Sequence, residues 1–77
     1  MKLFILKIYH YDCSSYDLEN VDVKVCSSLE LCELEYKKFI YEIYLENEEF
    51  IEFEKFNIEE VFYENYDYEI IESELIN

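Results

Sequence analysis

The first eleven residues constrain the fold most, because apolar side chains occupy both odd and even positions after Lys2. Successive side chains of a strand point to opposite faces of a sheet. Phe4, Leu6 and Ile8 therefore share one face, and the other face holds Leu3, Ile5, Tyr9 and Tyr11. A strand that is apolar on both faces is typical of the interior of a sheet. We predict a central β-strand over residues 2–11.

A second strand is predicted after a short loop. Residues 12–17 contain Asp and Ser, whose side chains bond to nearby backbone groups and favour a turn. Val21, Val23 and Val25 then alternate with polar residues, which predicts a strand buried on one face only. The two strands are expected to form a hairpin over about residues 2–26.

A helix is predicted over about residues 28–47. Ser27 and Glu30 have the spacing of a capping box, in which both side chains satisfy free backbone amides at a helix start. A stripe with spacings of three and four residues is expected to face the core, and it consists of Leu29, Cys32, Tyr36, Phe39, Ile40 and Ile43. A second apolar stripe on roughly the opposite side consists of Leu31, Leu34, Tyr41 and Leu45.

The second stripe needs a cover, because the outer side of a surface helix normally carries polar residues. Either the C-terminal segment wraps around the helix, or the stripe contacts a partner or a second copy of the chain. We expect the internal cover, and Leu34, Tyr41 and Leu45 form the alternative interface.

The acidic C-terminal segment, residues 48–77, gives a mixed signal. Residues 50–56 fit either a strand or a continuation of the helix. Asn57 and Glu60 have a second spacing like that of a capping box, which predicts a short helix near residues 58–64.

The last part of the chain returns to alternation and predicts a strand over about residues 66–76. Its phase shifts at Ile70 and Ile71, as a β-bulge would require. Together these elements predict a single-domain α+β fold, in which a small antiparallel sheet of three to four strands packs on one main helix.

The charge of the chain narrows the classes of partner. Twenty Asp and Glu against six Lys give a net charge of −14, and residues 39–77 hold 13 of the acids with one Lys. The 52% of hydrophobic residues is too many for a disordered acidic tail. Such a charge repels nucleic acid and anionic membranes, so the expected partner is a basic protein, with no direct nucleic acid and no membrane.

Few residues suit catalysis or cofactor binding. The chain has no Gly for a loop that cradles phosphates, three Cys and a single His. His10 and Cys13 have an H-x-x-C spacing, but a structural zinc site needs four ligands. An odd number of cysteines and no recognisable signal sequence favour a reducing compartment. We expect a cytoplasmic protein without enzymatic activity, cofactor or metal.

Acids recur regularly in the second half, in i,i+2 pairs that a strand would place on one face about 6.5–7 Å apart. This is close to the separation of adjacent phosphates in a nucleic-acid strand. Tyrosines lie among them, and tyrosine is favoured at protein interfaces. The predicted partner-binding residues are Glu42, Glu46, Glu49, Glu52, Glu54, Glu59, Glu60, Tyr63, Glu64, Tyr66, Asp67, Tyr68, Glu69, Glu72 and Glu74.

The order hairpin, helix and final strand resembles small acidic phage and bacterial proteins of ββαβ type. The resemblance rests on the Ser-Ser helix entry after Val23–Cys26 and on the acidic last strand that begins at Tyr68. Most members have no assigned activity, so it implies a fold. By analogy of size and acidity, the chain also looks like small phage-encoded anti-CRISPR proteins, many of which occupy nucleic-acid-binding surfaces of CRISPR effectors.

Three functions remain open at this point. The favoured one is a phage-type inhibitor that binds the basic nucleic-acid-binding groove of a host defence effector, with nucleic-acid mimicry as one mode of binding. The alternative is an interaction module or antitoxin-like adaptor that binds through the apolar helix stripe, with a homodimer as one form. An acidic surface that only keeps a small protein soluble is the third.

Overall fold

The computed structural model describes residues 2–61 and 63–74. They form an α+β fold of three strands, one long helix and two single-turn 3₁₀ helices. The main elements are β1 (Lys2–Tyr11), β2 (Leu18–Cys26), α1 (Leu29–Asn47) and β3 (Tyr66–Glu74), and the 3₁₀ helices are Phe53–Lys55 and Ile58–Glu60. The predicted fold class is confirmed.

The three strands form one antiparallel sheet in the order β2-β1-β3. β1 is therefore the central strand, as its two apolar faces predict. Its pairing with β3 is continuous, with Leu6 opposite Ile70 and Ile5 opposite Ile71. The expected bulge at Ile70 and Ile71 is wrong, because the two isoleucines face opposite sides of an unbroken strand. Residues 75 and 76 of the predicted strand lie outside the described residues.

The loop between β1 and β2 is organised by Asp12. Its Oδ1 accepts the backbone amides of Ser14 at 2.7 Å and Ser15 at 3.2 Å, and also the Ser14 hydroxyl. Tyr16 has a φ of 59°, the left-handed conformation that favours glycine. Since the chain has no glycine, the hydrogen bonds of Asp12 stabilise this tight turn in its place.

The helix begins one residue later than the capping box predicts. Ser28, not Ser27, is the N-cap, and its Oγ accepts the backbone amide of Leu31 at 3.2 Å. The helix packs on one face of the sheet, where the buried centre of the core consists of Leu6, Ile8 and Cys32. Phe4, Cys26, Tyr36, Phe39 and Ile70 pack around that centre. Leu29 was expected in the core-facing stripe, but its side chain is exposed at the first turn.

The opposite face of the sheet is not covered by the helix. Alternation and register place a mostly apolar set of side chains there, which we call the open face: Leu3, Ile5, Lys7, Tyr9, Val21, Val23, Val25, Asp67, Glu69, Ile71 and Ser73. Val23 and Val25 are 57% and 61% exposed. The prediction that the valines of β2 mark its buried side is wrong, because Lys24 and Cys26 of β2 face the helix instead.

Residues 48–61 and 63–65 form neither a strand nor a continuation of the helix. They fold back along α1, and Phe56 is buried against Tyr41 and Tyr44 with ring centroids 5.4 and 5.2 Å away. Asn57 caps the second 3₁₀ helix by accepting the amide of Glu59 at 3.1 Å. The predicted short helix near 58–64 is thus a single 3₁₀ turn. No helix in the described part of the chain is long and apolar enough to span a membrane.

Candidate protein-binding cleft

A cleft of about 450 Å³ lies where α1, the second 3₁₀ helix and the start of β3 meet. Four tyrosines supply most of its aromatic wall, and three carboxylate residues accompany them. The lining residues are Glu33, Tyr36, Ile40, Ile58, Glu59, Val61, Tyr63, Tyr66, Asp67 and Tyr68. These residues include three acids and no lysine, so the cleft has negative potential and an aromatic surface.

The tyrosine rings are held by contacts with one another and with the core. Tyr36 stacks on Tyr68 with ring centroids 4.0 Å apart and an interplanar angle of 28°. Tyr66 makes edge-to-face contacts with His10 at 5.2 Å and with Phe39 at 5.3 Å. Tyr63 meets Tyr66 at 6.3 Å, again at a steep angle. Because these rings pack against each other, the wall is largely preformed.

The environment of the cleft favours the neutral form of two tyrosine hydroxyls, those of Tyr36 and Tyr63. Burial raises the pKa of Tyr36 to about 12, and the negative charge of Asp67 acts in the same direction. The pKa of Tyr63 is also raised, first by burial and then by the nearby Glu48. Burial, the larger cause of both shifts, disfavours a charge of either sign, and the nearby acids Asp67 and Glu48 specifically disfavour a negative one. A cation is the complementary ligand, because its charge is attracted by the carboxylates and by the faces of the rings.

Five of the predicted partner-binding residues line this cleft. They are Glu59, Tyr63, Tyr66, Asp67 and Tyr68. The Asp67 carboxylate accepts the backbone amide of Tyr68 at 2.8 Å, which fixes it at the edge of β3. Strand β3 and the 3₁₀ turn thus bring together residues that are up to nine positions apart in the sequence.

The expected single row of paired acids is not formed. Glu52 and Glu54 lie at a 3₁₀ turn instead of in a strand, and Glu52 pairs with Lys55 at 3.8 Å. Because β3 has no bulge, Glu72 and Glu74 lie on the helix side of the sheet, whereas Glu69 lies on the open face. The same-face spacing is wrong for Glu52 and Glu54, which do not lie in a strand. Within β3 each pair does share a face, Asp67 with Glu69 and Glu72 with Glu74. The two pairs lie on opposite faces of the sheet and do not join into one phosphate-like row.

The remaining predicted acids are exposed but scattered. Glu72 pairs with Lys2 at 2.9 Å, and Glu64 accepts the Tyr16 hydroxyl at 3.3 Å. Glu42, Glu46 and Glu49 are exposed on the second half of α1 and just after it, and Glu60 is exposed on the second 3₁₀ helix. They surround the molecule with negative charge without converging on the cleft.

The alternative interface is split by the fold. Tyr41 donates its hydroxyl to the carbonyl of Ile51 at 2.7 Å and packs edge-to-face on Phe53 at 5.1 Å. The C-terminal segment covers it, as the internal-cover prediction states. Leu34 and Leu45 remain 37% exposed, and Leu31 is 44% exposed.

Among the acidic and aromatic residues of the cleft, Glu33 and Tyr36 are the two that the sequence pattern did not indicate as partner-binding. Tyr36 falls on the core-facing stripe of the helix, and it does contact the core, but its ring also reaches the cleft. The signal that could have identified the pair is its i,i+3 spacing, which puts an acid one turn before an aromatic ring on the same side of a helix.

The reactive residue types do not converge on this cleft. Cys32 is buried on the side of α1 that faces the sheet. Burial, and secondly the neighbouring Cys26, raise the pKa of its thiol to about 11. The thiol is therefore a poor nucleophile. His10 Nε2 and Asp22 Oδ2 lie 2.8 Å apart. Within residues 2–61 and 63–74, no group of three or more His, Cys, Asp or Glu side chains is arranged to hold a metal ion.

No protein-family model, curated protein or solved structure matches this chain. The functional argument therefore rests on the fold and on the chemistry of the cleft. Together they describe a small α+β domain with a preformed, anionic, tyrosine-lined cleft.

Proposed function

We propose that the protein acts without catalysis, as a binding protein for a basic surface of another protein. The observation that carries this proposal is the cleft, in which four tyrosines and three acidic residues meet without a lysine among the lining residues. In the setting suggested by the sequence, the partner is a nucleic-acid-handling defence effector, and binding blocks the groove that normally holds its DNA or RNA.

An arginine side chain fits the chemistry of the cleft best. Its planar guanidinium stacks on aromatic rings and donates to carboxylates in a fixed geometry. The Tyr68 ring, backed by Tyr36, offers an aromatic surface, and Glu59 and Asp67 supply acceptors. A lysine ammonium would gain the same charge attraction with less stacking. The cleft thus acts as the anchor for one cationic side chain of the partner.

The wider charge of the molecule supports the same function. With a net charge of −14, long-range attraction accelerates encounter with a basic surface and repels competing acidic proteins. The scattered acids supply this attraction, and the cleft supplies a defined contact. In this proposal the protein does not mimic a row of phosphates. It is an acidic domain that has one specific binding site, the tyrosine-lined cleft.

The direct test uses a short arginine-containing peptide as the probe and tyrosine side-chain NMR signals as the readout. We expect the signals of Tyr36 and Tyr68 to shift on titration, and binding to weaken as the salt concentration rises. The double variant Glu59→Gln, Asp67→Asn should weaken binding about tenfold or more, because it removes the acceptors at the cleft.

The matched control is Glu52→Gln with Glu54→Gln. It changes the net charge by the same amount at a 3₁₀ turn whose residues do not line the cleft. We expect it to weaken binding only slightly, through lost long-range attraction. Equal losses in the two double variants would show that general charge, and not the cleft, binds the peptide.

A second candidate function follows from the exposed leucines of α1. Leu31, Leu34 and Leu45 form the uncovered part of the second stripe and are suited to a helical or apolar partner. Binding through them would be nearly insensitive to salt and would be lost in Leu34→Asp. A pull-down from host lysate at low and high salt, repeated with Leu34→Asp and with the cleft variant, separates the two functions.

A further inference from the structure

The open face of the sheet is an apolar surface that the described chain leaves uncovered. Val23 and Val25 project from β2 with more than half of their side chains in water, and the register places Ile5 between Val25 and Ile71. These side chains are neighbours across adjacent strands, so the apolar surface is continuous. A contiguous apolar surface on a small domain is typical of an interface.

The open face carries three charged side chains, Lys7, Asp67 and Glu69, and Asp67 lies opposite Tyr9. Lys7 lies on β1, directly opposite Glu69 of β3, and Tyr9 donates its hydroxyl to Glu69 at 2.9 Å. Within the described residues, the other five lysines have partners. Lys2, Lys24, Lys38 and Lys55 form ion pairs, and Lys37 lies 4.5 Å from the centroid of the Phe53 ring. Lys7 has no such partner among the described residues.

This combination favours a second copy of the chain over other occupants. A two-fold interface uses the same surface on both subunits, so each charge must find its complement within that surface. The open face supplies Lys7 and two carboxylates, Glu69 and Asp67, beside its apolar residues. A strongly basic partner would meet Lys7 on this face, and a strongly acidic one would meet Glu69.

We propose that two copies associate through their open faces, with Lys7 of each copy near Glu69 of the other. The result is a β-sandwich with sheets about 10 Å apart and a helix on each outer side. The two cleft tyrosines of β3, Tyr66 and Tyr68, lie on the helix side of the sheet, so the aromatic wall of each cleft remains accessible in the dimer. The proposal does not depend on what the cleft binds.

The same association explains how a chain of this size tolerates an exposed apolar sheet. A domain of 77 residues buries a modest share of its surface, and binding of a second folded copy stabilises the folded state. The net charge of −14 on each copy opposes association, and salt at physiological concentration screens most of this repulsion. The open face is the region where few acids add to that repulsion.

The first test measures the oligomeric state of the full chain by sedimentation equilibrium at physiological ionic strength. We expect a monomer–dimer equilibrium, and Val23→Asn with Val25→Asn should weaken dimerisation about tenfold or more, because apolar side chains at the interface become polar. The control, Leu31→Asn with Leu34→Asn, makes the same kind of change on α1 and should leave dimerisation unchanged. A wild-type chain that stays monomeric, or a dimer disrupted only by the α1 variant, overturns the proposal.

The second test exchanges the two charges. Lys7→Glu alone and Glu69→Lys alone should each weaken self-association, since each places like charges together across the interface. An equimolar mixture of the two variants should restore a dimer, because each Glu at position 7 then meets a Lys at position 69. A defect in the folding of either variant would not be repaired by mixing. Failure of the mixture to associate more tightly than its components overturns the proposed contact.

Discussion

On the helix side of the sheet Leu6 and Ile8 are fully buried, whereas on the opposite side Val23 and Val25 keep more than half of their side chains in water. Both sets are β-branched or aliphatic, and both follow strict alternation. The difference arises from α1, which covers one side only. Alternation therefore identifies residues that share a face, and the packing partner decides whether that face is a core or a surface.

The largest expected effect comes from truncating one residue on each side. Ile8→Ala should lower the free energy of unfolding by about 2–5 kcal/mol, because it leaves a cavity in the core. Val23→Ala should change it by only about 0.5 kcal/mol, since the side chain is exposed in the monomer. Urea denaturation measures the free energy of unfolding of both variants, at a protein concentration too low for self-association.

A milder variant protects this comparison if Ile8→Ala does not fold. Ile8→Val should cost about 0.5–1.5 kcal/mol by the same cavity argument. If Val23→Ala destabilises the monomer as much as Ile8→Val does, the open face is covered in solution and the difference between the two sides disappears.

A smaller effect on stability is expected at the N-cap of α1, the helix that covers one side of the sheet and leaves the other open. Ser28→Ala removes the acceptor of the Leu31 amide and should cost about 1 kcal/mol. Ser27→Ala, the matched control one residue earlier, should be nearly neutral. Thermal unfolding followed by circular dichroism compares the two. A larger loss in Ser27→Ala would move the start of the helix back to the capping box predicted from sequence.

The smallest effect on stability is expected at the turn that joins β1 and β2, which belongs to neither face of the sheet. Hydrogen bonds from the Ser14 hydroxyl and from the Ser14 and Ser15 amides lower the pKa of Asp12 from its usual 3.8 to about 2. Because the folded-state pKa is below the unfolded one, the stabilisation is present above about pH 4 and is lost as the pH falls towards 2.

Asp12→Asn tests this assignment through its pH dependence. The difference in Tm between the wild type and Asp12→Asn should be largest near neutral pH and should shrink as the pH falls from 4 to 2. A difference that stays constant over this range would show that the Asp12 charge does not stabilise the turn.

The sequence predicted most of the regular structure. The central position of β1, the hairpin and the extent of α1 were all available from periodicity, because long elements with one strong pattern have few alternatives. Which side of the sheet α1 covers could not be predicted from the sequence. β1 is apolar on both faces, and the valines of β2 lie on the side that the helix leaves open.

The segment after the helix was harder to predict for a different reason. Residues 48–65 follow neither a helical nor a strand period. Among the described residues of this segment only Phe56 is buried against α1, and each 3₁₀ helix is a single turn long. The cleft combines this segment with α1 and β3. Three of its tyrosines, Tyr63, Tyr66 and Tyr68, were predicted from the sequence as partner-binding residues. The contact between Tyr36 and Tyr68 was not predicted, because it depends on how the helix crosses the sheet.

The stacked pair of Tyr36 and Tyr68 gives the molecule an optical property of its own. The chain has no tryptophan, so its intrinsic fluorescence comes from its nine tyrosines. Two of these rings lie with centroids 4.0 Å apart in the cleft wall, where their emission is sensitive to contact with a neighbouring ring or cation. A ligand that enters the cleft therefore changes the light emitted by the unlabelled protein, so occupancy can be followed without an added dye.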